Sequence, residues 1–331
     1  MRILFAGSPA IAVPSVEDLS EMEMEGKDIF LVGVLTNPDT KRGRSKQEEP
    51  TDISAVVSRL NEVRIKNGLP PIPQLKPEKL DANARKEVEA LSPDLLVSFG
   101  CGHFFGPLFL ALFPLGGINI HPSLLPKYRG ASPIPAAILA CEKETGICIQ
   151  KIASELDTGD LLSTSILKLN GNETTLSLSK TVSFMAASLL RELLLDFEDK
   201  TAAACPQEGE AVYCHELKKG DGLIDWNKSA VDIDAQIRAF TPWPLSYTFL
   251  EKKALYILEA HPLEFPWELI SSSSEEQHPP GKVLGKDKSH GVLIQTGDGI
   301  LAVTRLQLEA KKALDWKSFC NGTRDFIGVR L

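Results

Sequence analysis

The chain has 331 residues, and its 36 Lys and Arg against 44 Asp and Glu give a formal net charge of −8 at pH 7. This acidic balance argues against a protein that coats nucleic acid, although a local basic patch is compatible with it. No apolar run approaches the ~20 residues of a membrane-spanning helix. The six cysteines are scattered without a Cys-x-x-Cys pair, which is typical of reduced thiols in the cytoplasm.

The first half of the chain alternates between short apolar runs and helical patterns. The apolar runs predict buried strands over 2–6, 29–35, 94–99 and 117–121. The patterns between them predict helices over 10–19, 52–66 and 77–91. Such alternation is typical of a parallel sheet covered on both faces. We therefore expect an open α/β domain that binds its ligand beyond the carboxyl ends of the strands.

The second half has a different texture, which predicts a second domain. A helical pattern over 174–198 closes the first half, and the small, polar stretch 201–210 is typical of a linker. Short strands are predicted after it, over 246–250, 254–260, 291–295 and 299–308. They favour a small barrel or sandwich. The predicted organisation is a catalytic domain over 1–200, a linker over 201–210 and a C-terminal domain over 211–331.

Asn119 and His121 stand two residues apart at the end of the strand predicted over 117–121. Their side chains therefore project to the same face of the sheet. An asparagine amide can donate a hydrogen bond to a developing oxyanion, and a histidine can exchange a proton near neutral pH. The spacing alone favours a structural pair in a turn over a functional one.

A second candidate segment is the tight turn bearing Asp157 and Asp160, which follows a strand predicted over 146–152. A carboxylate beside His121 would orient the imidazole and stabilise its cation. The tripeptide Asp-Thr-Gly, here residues 157–159, is also found in aspartic proteases. The predicted α/β domain contains only one such motif, which argues against an aspartic protease. Alone, the motif is more often a turn than a site.

Together, these segments resemble the signature of the 10-formyltetrahydrofolate-dependent formyltransferase family. The resemblance rests on Asn119-x-His121 and on the runs 123–130 and 156–159. It implies a Rossmann-like catalytic domain, 10-formyltetrahydrofolate as co-substrate and no metal. It also implies that Asn119, His121 and Asp157 are catalytic. The residues that it places along the folate site are Ser123, Leu124, Leu125 and Pro126.

Further segments resemble the members of that family whose acceptor is the methionine of initiator methionyl-tRNA. These segments are 5–9, 36–46, 224–226, 238–244 and 296–299. The resemblance implies an OB-like C-terminal barrel that helps to hold the acceptor arm, and a cytoplasmic monomer without a DNA or membrane partner. It also implies that the basic loop contacts tRNA, through Lys41, Arg42, Arg44 and Lys46. Because Glu48 and Glu49 follow where the family loop is neutral or basic, we weight the two arginines above Lys46.

The resemblance also implies a mechanism, in which an unprotonated α-amine attacks the formyl carbon on N10 of the folate. Asn119 would donate to the carbonyl oxygen, and His121 would share the proton of the amine. Asp157 would raise the pKa of His121 and fix its ring. Two alternatives remain open. One is a formyltransferase for a small amine, such as a nucleotide-linked amino sugar or glycinamide ribonucleotide, and the other is a non-catalytic tRNA-binding protein.

Overall fold

A computed structural model describes residues 1–41, 48–263 and 278–331. The chain divides into two compact units. The first comprises Met1–Pro133, Glu144–Lys168 and Ser179–Cys214. The second comprises Ile134–Lys143, Leu169–Leu178 and His215–Leu331. The domain boundaries predicted from the sequence stay a prediction, and residues 201–210 lie within the first unit.

The first unit is built on a seven-stranded sheet. Its strands are β1 (Arg2–Ala6), β2 (Phe30–Leu35), β5 (Gln74–Leu75), β6 (Leu95–Ser98), β7 (Gly117–His121), β9 (Glu144–Lys151) and β10 (Leu161–Lys168). They are ordered β10-β9-β7-β6-β1-β2-β5. The five strands from β7 to β5 pair in parallel, whereas β9 and β10 are antiparallel to their neighbours. The predicted open, mostly parallel α/β sheet is confirmed.

Two short two-stranded sheets accompany the large one. In the first, β3 (Thr40–Lys41) pairs with β4 (Glu48–Glu49). In the second, β8 (Arg129–Gly130) pairs in parallel with β11 (Tyr213–Cys214). Strand β8 is the next strand after β7 along the chain, whereas β11 comes after β10.

Each of the four predicted helical patterns overlaps a helix, and the described residues form further short helices that were not predicted. Their bounds are α1 (Val13–Met24), α2 (Asp52–Lys66), α3 (Ala82–Ala90), α4 (Pro107–Leu110), α5 (Pro133–Leu139), α6 (Thr175–Leu195), α7 (Phe197–Ala202), α8 (Ala230–Ala239) and α9 (Trp316–Gly322). The helix over 52–66 is confirmed, since Thr51 caps it by accepting a hydrogen bond from the backbone N–H of Ser54 at 3.1 Å. The helix predicted over 174–198 ends at Leu195, and α7 continues after Asp196.

Strand β1 is buried on both faces of the large sheet. Ile3, Leu4, Phe5 and Ala6 are all buried, so both faces of the strand are covered. Leu4 and Ala6 belong to a cluster that also holds Val88 of α3 and the aromatic run Phe105, Phe109 and Phe113. A continuous apolar strand buried on both faces is the pattern of a parallel sheet between helices.

The second unit carries a separate antiparallel sheet. Its strands are β12 (Ser246–Leu250), β13 (Lys253–Pro262), β14 (Val283–Asp287), β15 (Gly291–Gln295), β16 (Ile300–Leu308) and β17 (Leu314–Asp315). The order is β12-β13-β16-β15-β14, with β17 also pairing with β16. Trp226 and residues of α8 complete its apolar core. The predicted β-rich C-terminal half is confirmed, and α8 was not predicted.

Two features are absent from the described ranges. No helix there is long and apolar enough to cross a membrane. In the same ranges, no three His, Cys, Asp or Glu side chains are grouped so that they could hold a metal ion. All six cysteines are free thiols.

Candidate active site

The candidate site lies at the carboxyl end of β7, where Asn119 and His121 project from the same face of the strand. His121 is 4% exposed, and Asn119 is half-buried. Strand β9 lies next to β7 and places Gln150 directly opposite Asn119. The sheet thus brings two side-chain amides and an imidazole together at the edge where an α/β sheet binds its ligand.

Asp157 completes this cluster from the turn between β9 and β10. Its φ of 54° lies in the left-handed region, which aspartate tolerates better than most residues. Gly159 stands two residues later, and a Cβ there would lie 1.8 Å from the carbonyl oxygen of Lys151. The turn therefore fits against β9 only with glycine at that position. The Asp157 carboxylate in this turn reaches Asn119 of β7.

The Asp157 carboxylate receives hydrogen bonds on both oxygens. Oδ1 accepts from Nδ2 of Asn119 at 3.3 Å and from Nε2 of Gln150 at 2.9 Å. Oδ2 accepts from the backbone N–H of Gly130 at 2.9 Å and faces Nδ1 of His121 at 3.5 Å. A group that only accepts matches the three donors Asn119, Gln150 and Gly130, so the site suits a carboxylate.

His121 is enclosed by protein on both of its ring nitrogens. Nε2 lies 2.9 Å from the carbonyl oxygen of Tyr128, and Nδ1 faces Asp157. Both neighbours only accept, so the neutral ring can donate to one of them. The contact of 2.9 Å with the Tyr128 carbonyl is shorter than the 3.5 Å to Asp157 Oδ2, which assigns the proton to Nε2 and leaves Nδ1 unprotonated. Burial lowers the pKa of His121, and this outweighs the opposite effects of Asp157 and of the Tyr128 carbonyl. Asp157 acts in the predicted direction, but the net shift is downward.

The lowered pKa predicts that His121 makes the protein less stable in acid. Above the ordinary pKa of 6.5, His121 is neutral in both the folded and the unfolded chain, so its protonation does not lower the free energy of unfolding. As the pH falls below that value, His121 becomes protonated in the unfolded chain but stays neutral in the folded chain. The free energy of unfolding therefore decreases until the pH reaches the pKa of His121 in the folded chain. Between about pH 7 and pH 5, the wild-type melting temperature is expected to fall further than that of His121→Gln. Equal losses would contradict the prediction.

The residues predicted to line a folate site are packed inwards along the segment after β7. Ser123 is buried, and its hydroxyl donates to the carbonyl oxygen of Lys127 at 2.6 Å. Leu125 is buried and forms a cis peptide bond with Pro126. Leu124 is half-buried and lies against Gly146 of β9. Their contact with folate stays a prediction, and side chains that are so enclosed would act mainly by shaping the segment.

Of the residues predicted to contact tRNA, Lys41 ends β3 and is exposed. In the β3–β4 hairpin its Cα partner is Glu48. Arg42, Arg44 and Lys46 lie outside the described residues. Lys41 thus marks the base of the predicted basic loop.

Sequence reasoning missed three contributors to the Asp157 environment: Gln150, the Gly130 amide and Gln207. Gln150 is a buried polar residue directly after the apolar run 147–149 of β9, and this contrast was a usable signal. Gly130 has a φ of 116°, and a Cβ there would lie 2.2 Å from the carbonyl oxygen of Cys214. Gln207 stands in the stretch predicted to be a linker, where composition gave no signal.

Comparison with known families identifies the group to which this arrangement belongs. The family model described as formyl transferase matches residues 1–194. The model described as formyl transferase, C-terminal domain, matches residues 216–324. The chain belongs to the formyl transferase family. The resemblance inferred from the motifs around Asn119, His121 and Asp157 is thereby confirmed, and the chain is a formyl-transferring enzyme.

Full-length relatives carry a more specific name. A protein of Treponema denticola named methionyl-tRNA formyltransferase is 49% identical over 330 residues, which cover 99% of this chain and 98% of that protein. One of Treponema pallidum with the same name is 42% identical and covers 100% of this chain and 99% of its own length. An N-formyltransferase from Helicobacter canadensis, solved with folinic acid and dTDP-3-aminofucose, has a TM-score of 0.59 at 19% identity. That match covers 91% of this chain and 98% of that chain and supports the fold alone.

Proposed function

We propose that this chain transfers the formyl group of 10-formyltetrahydrofolate to the α-amine of methionine on initiator methionyl-tRNA. The observation that carries the proposal is the cluster of Asn119, His121 and Asp157 at the carboxyl end of β7. It stands in a chain that matches formyltransferases named for methionyl-tRNA along nearly its whole length. We assign the formyl donor from the family to which the chain belongs, and the Helicobacter protein of similar fold was solved with folinic acid.

The reaction exchanges one nitrogen for another on the formyl carbon. The amine nitrogen bonds to that carbon, the bond from the carbon to N10 breaks, the amine loses a proton and N10 gains one. Asn119 is placed to assist the addition. Its amide nitrogen carries two hydrogens, of which one points to Asp157 Oδ1. The other can donate to the carbonyl oxygen as it becomes negative.

His121 and Asp157 form the acid–base part of the proposed site. With Nε2–H donated to the Tyr128 carbonyl, Nδ1 of His121 is the basic nitrogen. A proton taken up there would create an imidazolium between the Asp157 carboxylate and that carbonyl, and both would stabilise the charge. Burial opposes the charged form, which keeps the ring neutral and able to accept a proton at neutral pH.

The acceptor and the setting belong to the same proposal. We assign tRNA contact to the basic loop of Lys41, Arg42, Arg44 and Lys46, and the folate site to the segment of Ser123, Leu124, Leu125 and Pro126. The assigned C-terminal tRNA-binding domain covers 211–331 and is OB-like. The protein would act as a monomer in the cytoplasm, where initiator tRNA and folate are available, and would use no metal.

An acceptor assay tests the proposal. Purified protein receives 10-formyltetrahydrofolate with charged initiator methionyl-tRNA, and a parallel reaction contains charged elongator methionyl-tRNA. We expect formyl-methionine on the initiator tRNA and much less on the elongator. A third reaction offers a nucleotide-linked amino sugar as a small amine, because the Helicobacter relative of similar fold was solved with such a sugar.

The three reactions separate the proposed acceptor from its alternatives. Formylation of the amino sugar alone would assign the chain to a small-amine acceptor and overturn the proposal. Binding of tRNA without any formyl transfer would make it a non-catalytic tRNA-binding protein. Equal use of both tRNAs would keep the formyl transfer and remove the selectivity for the initiator.

A further inference from the structure

We infer that Gln207 is a positioning residue for the formyl transfer, which acts through Gln150 and the turn of Asp157 to hold the catalytic carboxylate in place. The inference rests on the proposed function, since it concerns the orientation of Asp157 in that reaction. Gln207 does not lie on the strands that carry the candidate catalytic residues. It stands between α7 and β11, in the stretch whose composition predicts a linker.

The Gln207 side chain is bonded at both of its polar atoms. Nε2 lies within hydrogen-bond distance of three acceptors: Oε1 of Gln150 at 3.1 Å, the carbonyl of Asp157 at 2.9 Å and that of Gly159 at 2.9 Å. Oε1 accepts from the Arg129 guanidinium, from Nη2 at 2.7 Å and from Nε at 3.1 Å. One amide thus ties the backbone on both sides of the Asp157 turn to the segment after β7.

The Arg129 guanidinium and the Asp157 carboxylate, at the two ends of this hydrogen-bond network, fix which atoms donate and which accept. Arginine only donates, so Gln207 must present its oxygen to Arg129 and its nitrogen to Gln150. A carboxylate only accepts, so Gln150 must present its nitrogen to Asp157 Oδ1 and its oxygen to Gln207. Arg129, Gln207, Gln150 and Asp157 therefore form a one-way chain of donors. Turning over either amide would set donor against donor or acceptor against acceptor.

The backbone around Gln207 is itself anchored to the first unit. Cys205 exchanges two backbone hydrogen bonds with Leu161, at 2.8 and 3.1 Å. Val212 donates to the carbonyl of Pro126 and accepts from the N–H of Arg129, and β11 then pairs with β8. Gln207 lies between these two attachments, so its side chain is held from outside the turn that it contacts.

Asp157 is a residue that needs such support. Its φ of 54° lies in the left-handed region, which costs conformational energy for any residue other than glycine. Its carboxylate must meet Asn119, His121 and Gly130 at the same time. The bond from Gln207 to the Asp157 carbonyl fixes the backbone, and the bond from Gln150 fixes the carboxylate. Loss of Gln207 would therefore let the carboxylate rotate away from His121.

The test uses the Gln207→Glu variant of the full chain. Glutamate keeps the size of the side chain and can still bind Arg129, but its second oxygen would face the three acceptors that Nε2 now serves. We expect kcat for initiator methionyl-tRNA to fall about 10- to 100-fold, because small displacements of a catalytic group are costly. The KM values for tRNA and folate are expected to stay within about threefold.

Two controls accompany this variant. Glu208→Gln also exchanges a carboxylate and an amide, at an exposed neighbouring position, and is expected to retain wild-type kinetics. Gln207→Met, which leaves the carbonyls unpaired without adding charge, replaces the glutamate variant if that chain does not fold. Gln150→Met and the Gln150–Gln207 double variant test the chain itself. If the two amides act as a unit, the double variant loses no more kcat than the worse single one.

The outcomes distinguish this inference from the proposed function, since the wild type is measured first. A wild-type enzyme that formylates the tRNA, together with Gln207 variants whose kcat stays within about threefold, overturns the positioning role. A loss confined to the melting temperature or to KM overturns it as well. A wild-type chain that formylates no methionyl-tRNA overturns the proposed function and removes this inference with it.

Discussion

Replacing Asp157 with asparagine is expected to lower kcat by up to about 10⁴-fold, which is the loss in a serine protease when the aspartate that orients the catalytic histidine becomes asparagine. The reason lies in the donors around it. Oδ1 accepts from two side-chain amides, Asn119 and Gln150, while Oδ2 accepts from the Gly130 N–H. An asparagine has one acceptor oxygen, so in either orientation its NH₂ group points at another donor. The histidine also loses the negative charge that would stabilise its cation.

Asp160→Asn is the matched control, because it removes the same charge three residues along the same turn. Its side chain is half-buried. We expect its kcat to stay within about threefold of the wild type. Steady-state rates with saturating folate and tRNA, measured beside melting temperatures, separate a chemical loss from a folding defect. Wild-type turnover in Asp157→Asn would show that the carboxylate has no part in the reaction.

The sheet could be predicted from the sequence because its strands are continuous apolar runs bounded by turn residues. Strands β1 and β7 have the predicted bounds, and β2 and β6 agree within one residue at each end, whereas the two-residue strand β5 was not predicted. The antiparallel pair at the edge could not be predicted. Strand β9 was predicted without its direction. Strand β10 alternates in exposure, but its exposed positions include Ile166 and its half-buried positions include Ser163 and Ser165, so its sequence lacks the apolar–polar alternation of a strand.

The candidate site was predictable only where its residues share a strand. Asn119 and His121 stand on β7, so their common face followed from their spacing. The approach of Asp157 was expected from family resemblance, whereas its physical cause is a turn that needs a glycine at 159. The net direction of the His121 pKa depends on burial by the whole unit, which the spacing of residues on one strand does not reveal.

Residues 201–210 show the limit of composition as a guide to structure. Small and polar residues predict a free linker, yet Cys205 and Gln207 are bonded to the first unit. Polar side chains that satisfy buried partners look the same in a sequence as those that face water. The hydrogen bond from Gln207 to the Asp157 carbonyl could therefore not be predicted from the sequence.

Asn119→Ala is expected to reduce kcat by about 10²- to 10³-fold, which is the usual cost of removing one donor from an oxyanion site. Asn119 is held by Asp157 through one N–H of its amide, which leaves the other N–H oriented for the carbonyl oxygen of the donor. Asn119→Asp is expected to be at least as damaging, because it would place a second carboxylate where Nδ2 now lies 3.3 Å from Asp157 Oδ1. Both variants should bind folate with an affinity close to that of the wild type.

Asn83→Ala, an exposed position on α3, controls for the loss of an asparagine amide elsewhere in the chain. Single-turnover rates isolate the formyl transfer from product release, and folate titration measures binding separately. A donor that acts on the transition state lowers the single-turnover rate and leaves the Kd of folate unchanged. If Asn119→Ala instead weakens folate binding and keeps the single-turnover rate, the amide holds the ground-state substrate. The oxyanion role then passes to another donor near the end of β7.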